Sequence, residues 1–225
     1  MSFQLTLGLK FGVKTTLDNF IVGDNQSVLE RLKYSLQSRS PVLIHLWGEE
    51  GIGKTHLLQA ACQSLVYQGF QAGYIDLKPL NNFDILNGLH QLKLVCFDNL
   101  HSIQDDQHIA RLSEFITASL DQGHQILTSS RDALSTPILT EIPCLLQYQL
   151  KALSEQDMRL ALKQKAEERG LFLPVDLEDI VLNKVGNSMK SMMNVLDTLE
   201  NSCDQEKKKT KLFKTTVKSM INNLL

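Results

Sequence analysis

No stretch of eighteen or more apolar residues occurs in this sequence, which excludes a membrane-spanning hydrophobic helix. The start, Met1-Ser2-Phe3-Gln4-Leu5-Thr6-Leu7, lacks the basic beginning and long apolar core of a secretory signal. Cysteine is sparse. Cys62, Cys96, Cys144 and Cys203 lie far apart with no CxxC pair and no metal-ligand spacing. The first three sit among apolar residues and read as small core residues, and a reduced, cytoplasmic setting is the simplest match. Six histidines form no cluster at metal spacing. A basic excess is also missing, since the net charge is −2. Residues 1–153 carry 11 basic and 14 acidic side chains, and residues 154–225 carry 12 and 11. Tight non-specific binding to DNA by this chain alone is therefore not implied. Internal repeats and low-complexity tracts are absent as well.

What remains is an ordinary globular balance, 43% hydrophobic and 21% charged, able to bury a real core. A length of 225 residues fits one α/β domain with a small second domain, or one large domain. Residues 1–16 have no helical period and read as a flexible arm. Asp24 to Gln37 reads as a helix, with Val28, Leu29, Leu32 and Leu36 on one face. Pro41 introduces Val42-Leu43-Ile44-His45-Leu46, an apolar run suited to a strand buried on both faces. A glycine-rich turn and a helix from Lys54 to Tyr67 follow, ended by Gly69. Strands are predicted over Ala72–Leu77, Leu94–Phe97 ending at Asp98, Gln125–Thr128 and Leu146–Leu150. An amphipathic helix over 107–122 stops at Gly123. Strands alternating with helices predict an α/β parallel sheet flanked by helices.

After about residue 153 the pattern becomes helical only. Ser154-Glu155-Gln156-Asp157 has the form of a helix N-terminus. Helices are predicted over 155–169, 176–185, 188–202 and 210–224, with Gly170 and Pro174 between the first two. The reading is an arm over 1–16, an α/β domain over 17–153 and a helical domain over 154–225. Lys207-Lys208-Lys209 reads as a solvated loop between helices.

Gly48-Glu49-Glu50-Gly51-Ile52-Gly53-Lys54-Thr55 matches GxxxxGK(S/T) in full. Glycines let the backbone curl so that its N–H groups face a phosphate, and the following helix adds its positive end. Lys54 would reach the β-phosphate of ADP or the β- and γ-phosphates of ATP, and the Thr55 hydroxyl would ligate Mg²⁺. A predicted strand before the motif and a predicted helix after it supply the context the motif needs. Asp98 ends an apolar strand, where a P-loop sheet places the carboxylate that holds the Mg²⁺ shell. Asn99 follows, and an amide cannot act as the base that activates water, so weak intrinsic ATPase activity is expected. No metal beyond Mg²⁺ is implied. His45 reads as a packed or hydrogen-bonded residue of the core strand.

These residues resemble the Hda family of DnaA-related regulators of bacterial replication initiation and, more broadly, the AAA+ module of DnaA, over nearly the whole chain. Leu17-Asp18-Asn19-Phe20-Ile21-Val22-Gly23 resembles the segment that opens that module, and the resemblance implies that Phe20, Ile21 and Val22 pack on adenine. It also assigns Ile52 and His56 to the nucleotide site. Phe97-Asp98-Asn99-Leu100 resembles the Asp-Asn form of the second motif. Ile126 to Arg131 resembles the first-sensor strand, with Ser130 at the sensor position. Lys165-Ala166-Glu167-Glu168-Arg169-Gly170 with Leu173-Pro174 resembles the lid, and Lys190 takes the second-sensor position. Gln4-Leu5-Thr6-Leu7-Gly8-Leu9 resembles the peptide that docks on the DNA polymerase sliding clamp, which implies that Gln4 enters a polar pocket while Leu5, Leu7 and Leu9 fill an apolar groove.

What the resemblance implies is a negative regulator of replication initiation. It holds nucleotide with Mg²⁺, binds the clamp and promotes hydrolysis of DnaA-bound ATP. No helix-turn-helix domain follows the lid, which fits a regulator without sequence-specific DNA binding of its own. AAA+ sites usually lie at subunit contacts, so self-association is compatible with this reading. Three positions depart from the family. Ser130 stands where an Asp is usual before the Arg, here Arg131. Lys190 stands where an arginine is usual, and lysine does not bind phosphate bidentately. Counting back from Tyr148-Gln149-Leu150, Thr140-Glu141 stands where a Ser-Arg segment supplies an arginine to the ATP site of DnaA, and Glu141 cannot stabilise negative charge. Either a gap displaces this alignment, or Arg131 or a lysine substitutes, or hydrolysis is not stimulated in that manner. Rival readings are an autonomous AAA+ ATPase such as a helicase loader, and an adaptor anchored on clamp or DNA without hydrolysis-stimulating activity.

Overall fold

The structure is a computed structural model that describes residues 15–38, 40–78, 80, 83–135, 140–142, 144–171, 173–186 and 188–206, the last six as backbone only. The predicted arm lies outside the described residues except for Thr15 and Thr16. The predicted helix over 210–224 and the lysine run at 207–209 also lie outside them. The chain divides into two compact units. The first takes the chain up to Glu49 together with Gly53–Leu150, and the second takes Glu50–Ile52 and the chain from Lys151 on.

In the first unit a 3₁₀ turn, Gly23–Asn25, leads into α1, Gln26–Ser38. Helix α1 buries Val28, Leu29, Leu32 and Leu36, the face its periodicity predicts. Then come β1 (Val42–Trp47), α2 (Lys54–Tyr67), β2 (Ala72–Asp76), β3 (Leu94–Asp98), α3 (Asp106–Asp121), β4 (Gln125–Ser130) and β5 (Leu145–Gln149). The strands form one parallel sheet in the order β2-β3-β4-β1-β5. Strand β4 lies between β3 and β1, so Leu127 pairs with Cys96 on one side and Ile44 on the other. The central strands β3 and β4 are buried throughout and β1 nearly so, while the edge strands β2 and β5 alternate or stay half-exposed. That difference accounts for their composition, since a strand covered on both faces needs a near-continuous apolar run.

Side-chain alternation divides the sheet into two faces. On one, Leu43, Val95, Phe97 and Ile126 pack with Leu112, Phe115 and Ile116 of α3. The Phe97 and Phe115 rings meet edge-on, 5.8 Å apart. Each such fully buried side chain contributes about 1.5–3 kcal/mol. On the other face Cys96 lies against α2, its Sγ 3.4 Å from the Leu58 carbonyl and 3.3 Å from Cys62 Sγ. Cys62 and Cys96 are fully buried core residues, as their neighbours in sequence suggest. Cys144 is not: it is exposed, at a φ of 64° in the turn that enters edge strand β5. Its apolar neighbours belong to a strand that is covered on only part of its surface.

The second unit contains α4 (Glu155–Glu167), α5 (Val175–Val185) and α6 (Met189–Glu206). Ser154 caps α4, its Oγ accepting from the Asp157 N–H at 3.1 Å. The core of this unit is built from Met158, Leu162 and Ala166 of α4, Leu177, Val181 and Val185 of α5, and Met192, Val195, Leu196 and Leu199 of α6. Among the described residues no helix is long and apolar enough to cross a membrane.

Candidate functional site

Strand β1 runs straight into the glycine-rich loop, and the loop's first N–H, from Gly48, donates to the Arg131 carbonyl at 3.0 Å. Gly53 has a φ of 104°, a region that side chains other than glycine rarely adopt. A Cβ there would also stand 2.8 Å from the Phe20 ring, so two independent constraints require glycine at this point. Lys54 opens α2, and its ammonium turns back into the loop, donating to the carbonyls of Gly48 at 2.6 Å and Glu49 at 2.5 Å. Phe20 is buried against the loop, with the His56 ring 5.6 Å away in a tilted arrangement. His56 Nε2 donates to the Thr16 carbonyl at 2.9 Å. Ile21 and Val22 follow half-buried, and Ile52 is buried. Glu50, Gly51 and Ile52 fall in the second unit, where Lys190 Nζ lies 2.9 Å from Glu50 Oε1 on an exposed surface.

Asp98 ends β3 and is 1% exposed. Donors surround its carboxylate. Thr55 Oγ1 donates to Oδ2 at 2.6 Å and the Tyr74 hydroxyl to the same oxygen at 2.7 Å. Ser129 Oγ donates to Oδ1, as does the Asn99 N–H at 3.0 Å. Burial first, and the adjacent Asp98 charge second, push the Tyr74 phenol well above its ordinary range, so it stays a donor. Asn99 takes a left-handed backbone with φ 61°, and its side-chain amide donates to Asp76 Oδ1 at 2.8 Å.

A second polar cluster lies on the opposite face of the sheet. His45, in β1, is fully buried, with Nδ1 2.8 Å from Thr128 Oγ1 and Nε2 2.9 Å from Ser130 Oγ. Ser130 spends its proton on the Asp132 carbonyl. Its oxygen therefore accepts from His45 Nε2–H, and Nδ1 accepts from Thr128. Burial lowers the His45 pKa to about 4 against a smaller opposing effect of the Asp132 carbonyl, and the Lys54 charge lowers it further. The imidazole is neutral at pH 7.

The structure thus brings together Gly48, Gly53, Lys54, Thr55, His56, Phe20 and Asp98. Gln4, Leu5, Leu7 and Leu9 lie outside the described residues. Ser130 is buried in the His45 cluster, and the β4 hydroxyl that reaches Asp98 belongs to its neighbour Ser129. Sequence reasoning did not single out Ser129, Tyr74 or Asp76. The signal for Ser129 was present in the pleat, since adjacent strand residues face opposite ways. No motif marks Tyr74 or Asp76. They enter the site because β2 pairs in register with β3, Tyr74 opposite Cys96 and Asp76 opposite Asp98. Thr140 and Glu141 are exposed, as is Arg131.

Among the described residues no three His, Cys, Asp or Glu side chains gather at metal-binding distance. A nucleotide-borne Mg²⁺ does not need such a cage, because one or two carboxylates with phosphate oxygens and water suffice. The Thr55 hydroxyl and the Asp98 carboxylate are hard oxygen donors of the right kind, side by side.

Known structures share this architecture. Domain III of the Thermotoga maritima replication initiation protein DnaA aligns with a TM-score of 0.75 at 17% identity, covering 88% of this chain and 92% of that one. AMPPCP-bound DnaA from Aquifex aeolicus aligns with a TM-score of 0.67 at 21% identity over 84% of this chain. A DNA replication initiation factor gives 0.69 at 21% identity over 83%. This chain spans 64% of the initiation factor and 65% of the Aquifex protein. With a five-stranded parallel sheet, a P-loop after β1 and a helical second unit, the fold is that of a P-loop AAA+ protein. Residues 155–212, about a quarter of the chain, match the family described as Hda, lid domain. Fold and lid together are consistent with an Hda-type, DnaA-related AAA+ protein.

Proposed function

We propose that this protein is a nucleotide-holding, cytoplasmic regulator of DNA replication initiation that docks on the sliding clamp and promotes hydrolysis of DnaA-bound ATP. One observation carries the proposal: a P-loop with its Thr55–Asp98 hydroxyl–carboxylate pair stands in the same chain as an Hda lid match over 155–212. In this reading Gly48, Gly51, Ile52 and Gly53 wrap the phosphates of ADP or ATP, and Lys54 exchanges its two loop carbonyls for phosphate oxygens. Phe20, Ile21, Val22 and His56 bound the base. Thr55 and Asp98 hold Mg²⁺, which when bound would offset phosphate charge. Ser130 and Lys190 stand at the two sensor positions. That a DnaA structure of the same fold carries AMPPCP supports a nucleotide here. Asn99 lacks a basic oxygen able to take a proton from water, which favours a bound nucleotide over a turned-over one.

Clamp docking rests on Gln4, Leu5, Leu7 and Leu9, whose pattern suits one polar pocket followed by an apolar groove. A second reading is favoured by Thr140-Glu141: a clamp-tethered adaptor that contacts DnaA without speeding hydrolysis, because Glu141 offers no cation to the transition state. The deciding experiment is single-turnover hydrolysis of ATP already bound to the cognate DnaA, with DNA-loaded clamp and this protein present together or singly. Acceleration only when both are present supports the first reading, and Gln4→Ala with Leu5→Ala should then abolish it. No acceleration with clamp binding intact selects the adaptor. Steady-state turnover of free ATP well above about 1 per second would instead select an autonomous ATPase such as a helicase loader.

A further inference from the structure

Strand β2 contributes to the site through a residue that no motif marks. Asp76, its last residue, accepts from the Asn99 side-chain amide at 2.8 Å and from the Lys78 N–H at 3.0 Å, both on Oδ1. The Lys78 contact fixes the carboxylate through its own backbone. The Asn99 contact then fixes the amide that follows Asp98. Asn99 holds a left-handed backbone, φ 61°, which asparagine tolerates better than most non-glycine residues, and the Asp76 contact fixes the direction of its side chain. Its backbone N–H is engaged as well, donating to Asp98 Oδ1 at 3.0 Å and to Ser129 Oγ at 3.2 Å. The side chain next to the metal-binding carboxylate is therefore clamped sideways over β2.

We propose that Asp76 is a positioning residue for Asn99, and that the order of carboxylate and amide in this pair, Asp76 with Asn99, sets the site to hold nucleotide without hydrolysing it. The proposal rests on the P-loop holding nucleotide, as argued above. Its chemistry is simple. At position 99 the pair presents an amide, which accepts a hydrogen bond from water but takes no proton. With the carboxylate at 76, a second carboxylate cannot be placed at 99 without like charges at hydrogen-bond distance. The two positions therefore depend on each other. Asn99→Asp alone sets two acids face to face with no donor between them. The exchange Asp76→Asn with Asn99→Asp restores the hydrogen bond with its direction reversed and leaves one oxygen of the new carboxylate for water. Asp76→Asn alone keeps the bond by turning the new amide oxygen toward Asn99.

The test measures nucleotide affinity and single-turnover hydrolysis of bound ATP, with Mg²⁺, in the wild type and these three variants. Wild type should hydrolyse slowly, and Asp76→Asn, which still presents an amide at 99, should show no gain. Asn99→Asp should gain less than about threefold. The exchange variant should gain about tenfold or more, a modest share of what a positioned base supplies, and lose that gain in acid as the carboxylate protonates. Nucleotide affinity should stay within about threefold throughout. A full gain in Asn99→Asp alone, or no gain in the exchange variant with binding intact, would overturn the proposal. Failure of the wild type to bind nucleotide would sink the reading of the site itself, a distinguishable result. If the exchange variant does not fold, Asp76→Ala, Asn99→Ala and their combination decide by thermal melting. Each single change should lower Tm by about 3 °C, and the double change by no more than either. Additive losses would show that the two residues are not coupled.

Discussion

Ser129 and Ser130 are neighbours in β4, yet they serve opposite faces of the sheet. Ser129 donates to Asp98 on the α2 face, beside Thr55 and the phosphate loop. Ser130 joins His45, Thr128 and the Asp132 carbonyl on the α3 face. Both clusters are buried and polar, but they differ in kind. In the Asp98 cluster four donors converge on one buried carboxylate. In the His45 cluster a neutral ring ties β1 to β4, and the adjoining Arg131 carbonyl receives the first N–H of the loop. One face gathers donors on a carboxylate, and the other holds the frame on which the loop hangs.

The largest expected effect falls on the α2 face. Lys54→Ala should weaken ATP and ADP by about 100-fold, in line with removing the charged partner of buried hydrogen bonds. Its nucleotide-free melting temperature should move by about 2 °C or less, and the added stability that nucleotide gives the wild type should vanish. Calorimetric titration and melting with and without nucleotide check both parts. Unchanged affinity would remove the loop from the argument.

The frame should respond in the opposite way. His45→Ala leaves a cavity and takes the acceptor from the Thr128 hydroxyl and a donor from Ser130, which should cost about 3 kcal/mol and lower Tm by about 9 °C. Nucleotide affinity of the folded fraction should stay within about threefold. His45 also gives the frame a pH signature. Its folded pKa of about 4 lies below the unfolded value of 6.5. In that interval the unfolded chain binds a proton that the folded protein refuses, so stability rises with pH. The contribution, up to about 3 kcal/mol, is complete above pH 6.5 and is lost as pH falls toward 4. Melting across that range should show a slope that His45→Gln flattens. An identical slope in the variant would place the titrating group elsewhere.

How much of this was legible depended on the range of the interactions. The loop, its strand and its helix form one contiguous run from Val42 to Tyr67, and motif and periodicity read them correctly. That β3 ends at Asp98 was legible from the apolar run before it. Tyr74 and Asp76 were not, because they meet Asp98 and Asn99 only through the pairing of β2 with β3, which leaves no mark on local sequence. Cys144 misled for a related reason, since apolar neighbours do not reveal that a strand is an edge. The 3₁₀ turn before α1 was absorbed into the helix, because both conformations tolerate the same residues.

The smallest effects separate the two serines, and there sequence resemblance and geometry disagree. Resemblance places the sensor at Ser130, whereas geometry gives the contact with Asp98 to Ser129. Ser129→Ala removes a charge-assisted hydrogen bond from the buried Asp98 carboxylate, so it should lower Tm by about 6 °C and shift the Mg²⁺ concentration needed for half-maximal nucleotide binding by about tenfold. Ser130→Ala removes one neutral partner from the His45 cluster, so it should lower Tm by about 3 °C and leave the Mg²⁺ dependence unchanged. Titrations of Mg²⁺ at fixed nucleotide, set beside melting curves, distinguish the two. If Ser130→Ala shifts the Mg²⁺ response and Ser129→Ala does not, the β4 hydroxyls have been assigned to the wrong faces. The sheet would then divide its labour differently, with the His45 cluster carrying the nucleotide response as well as the frame.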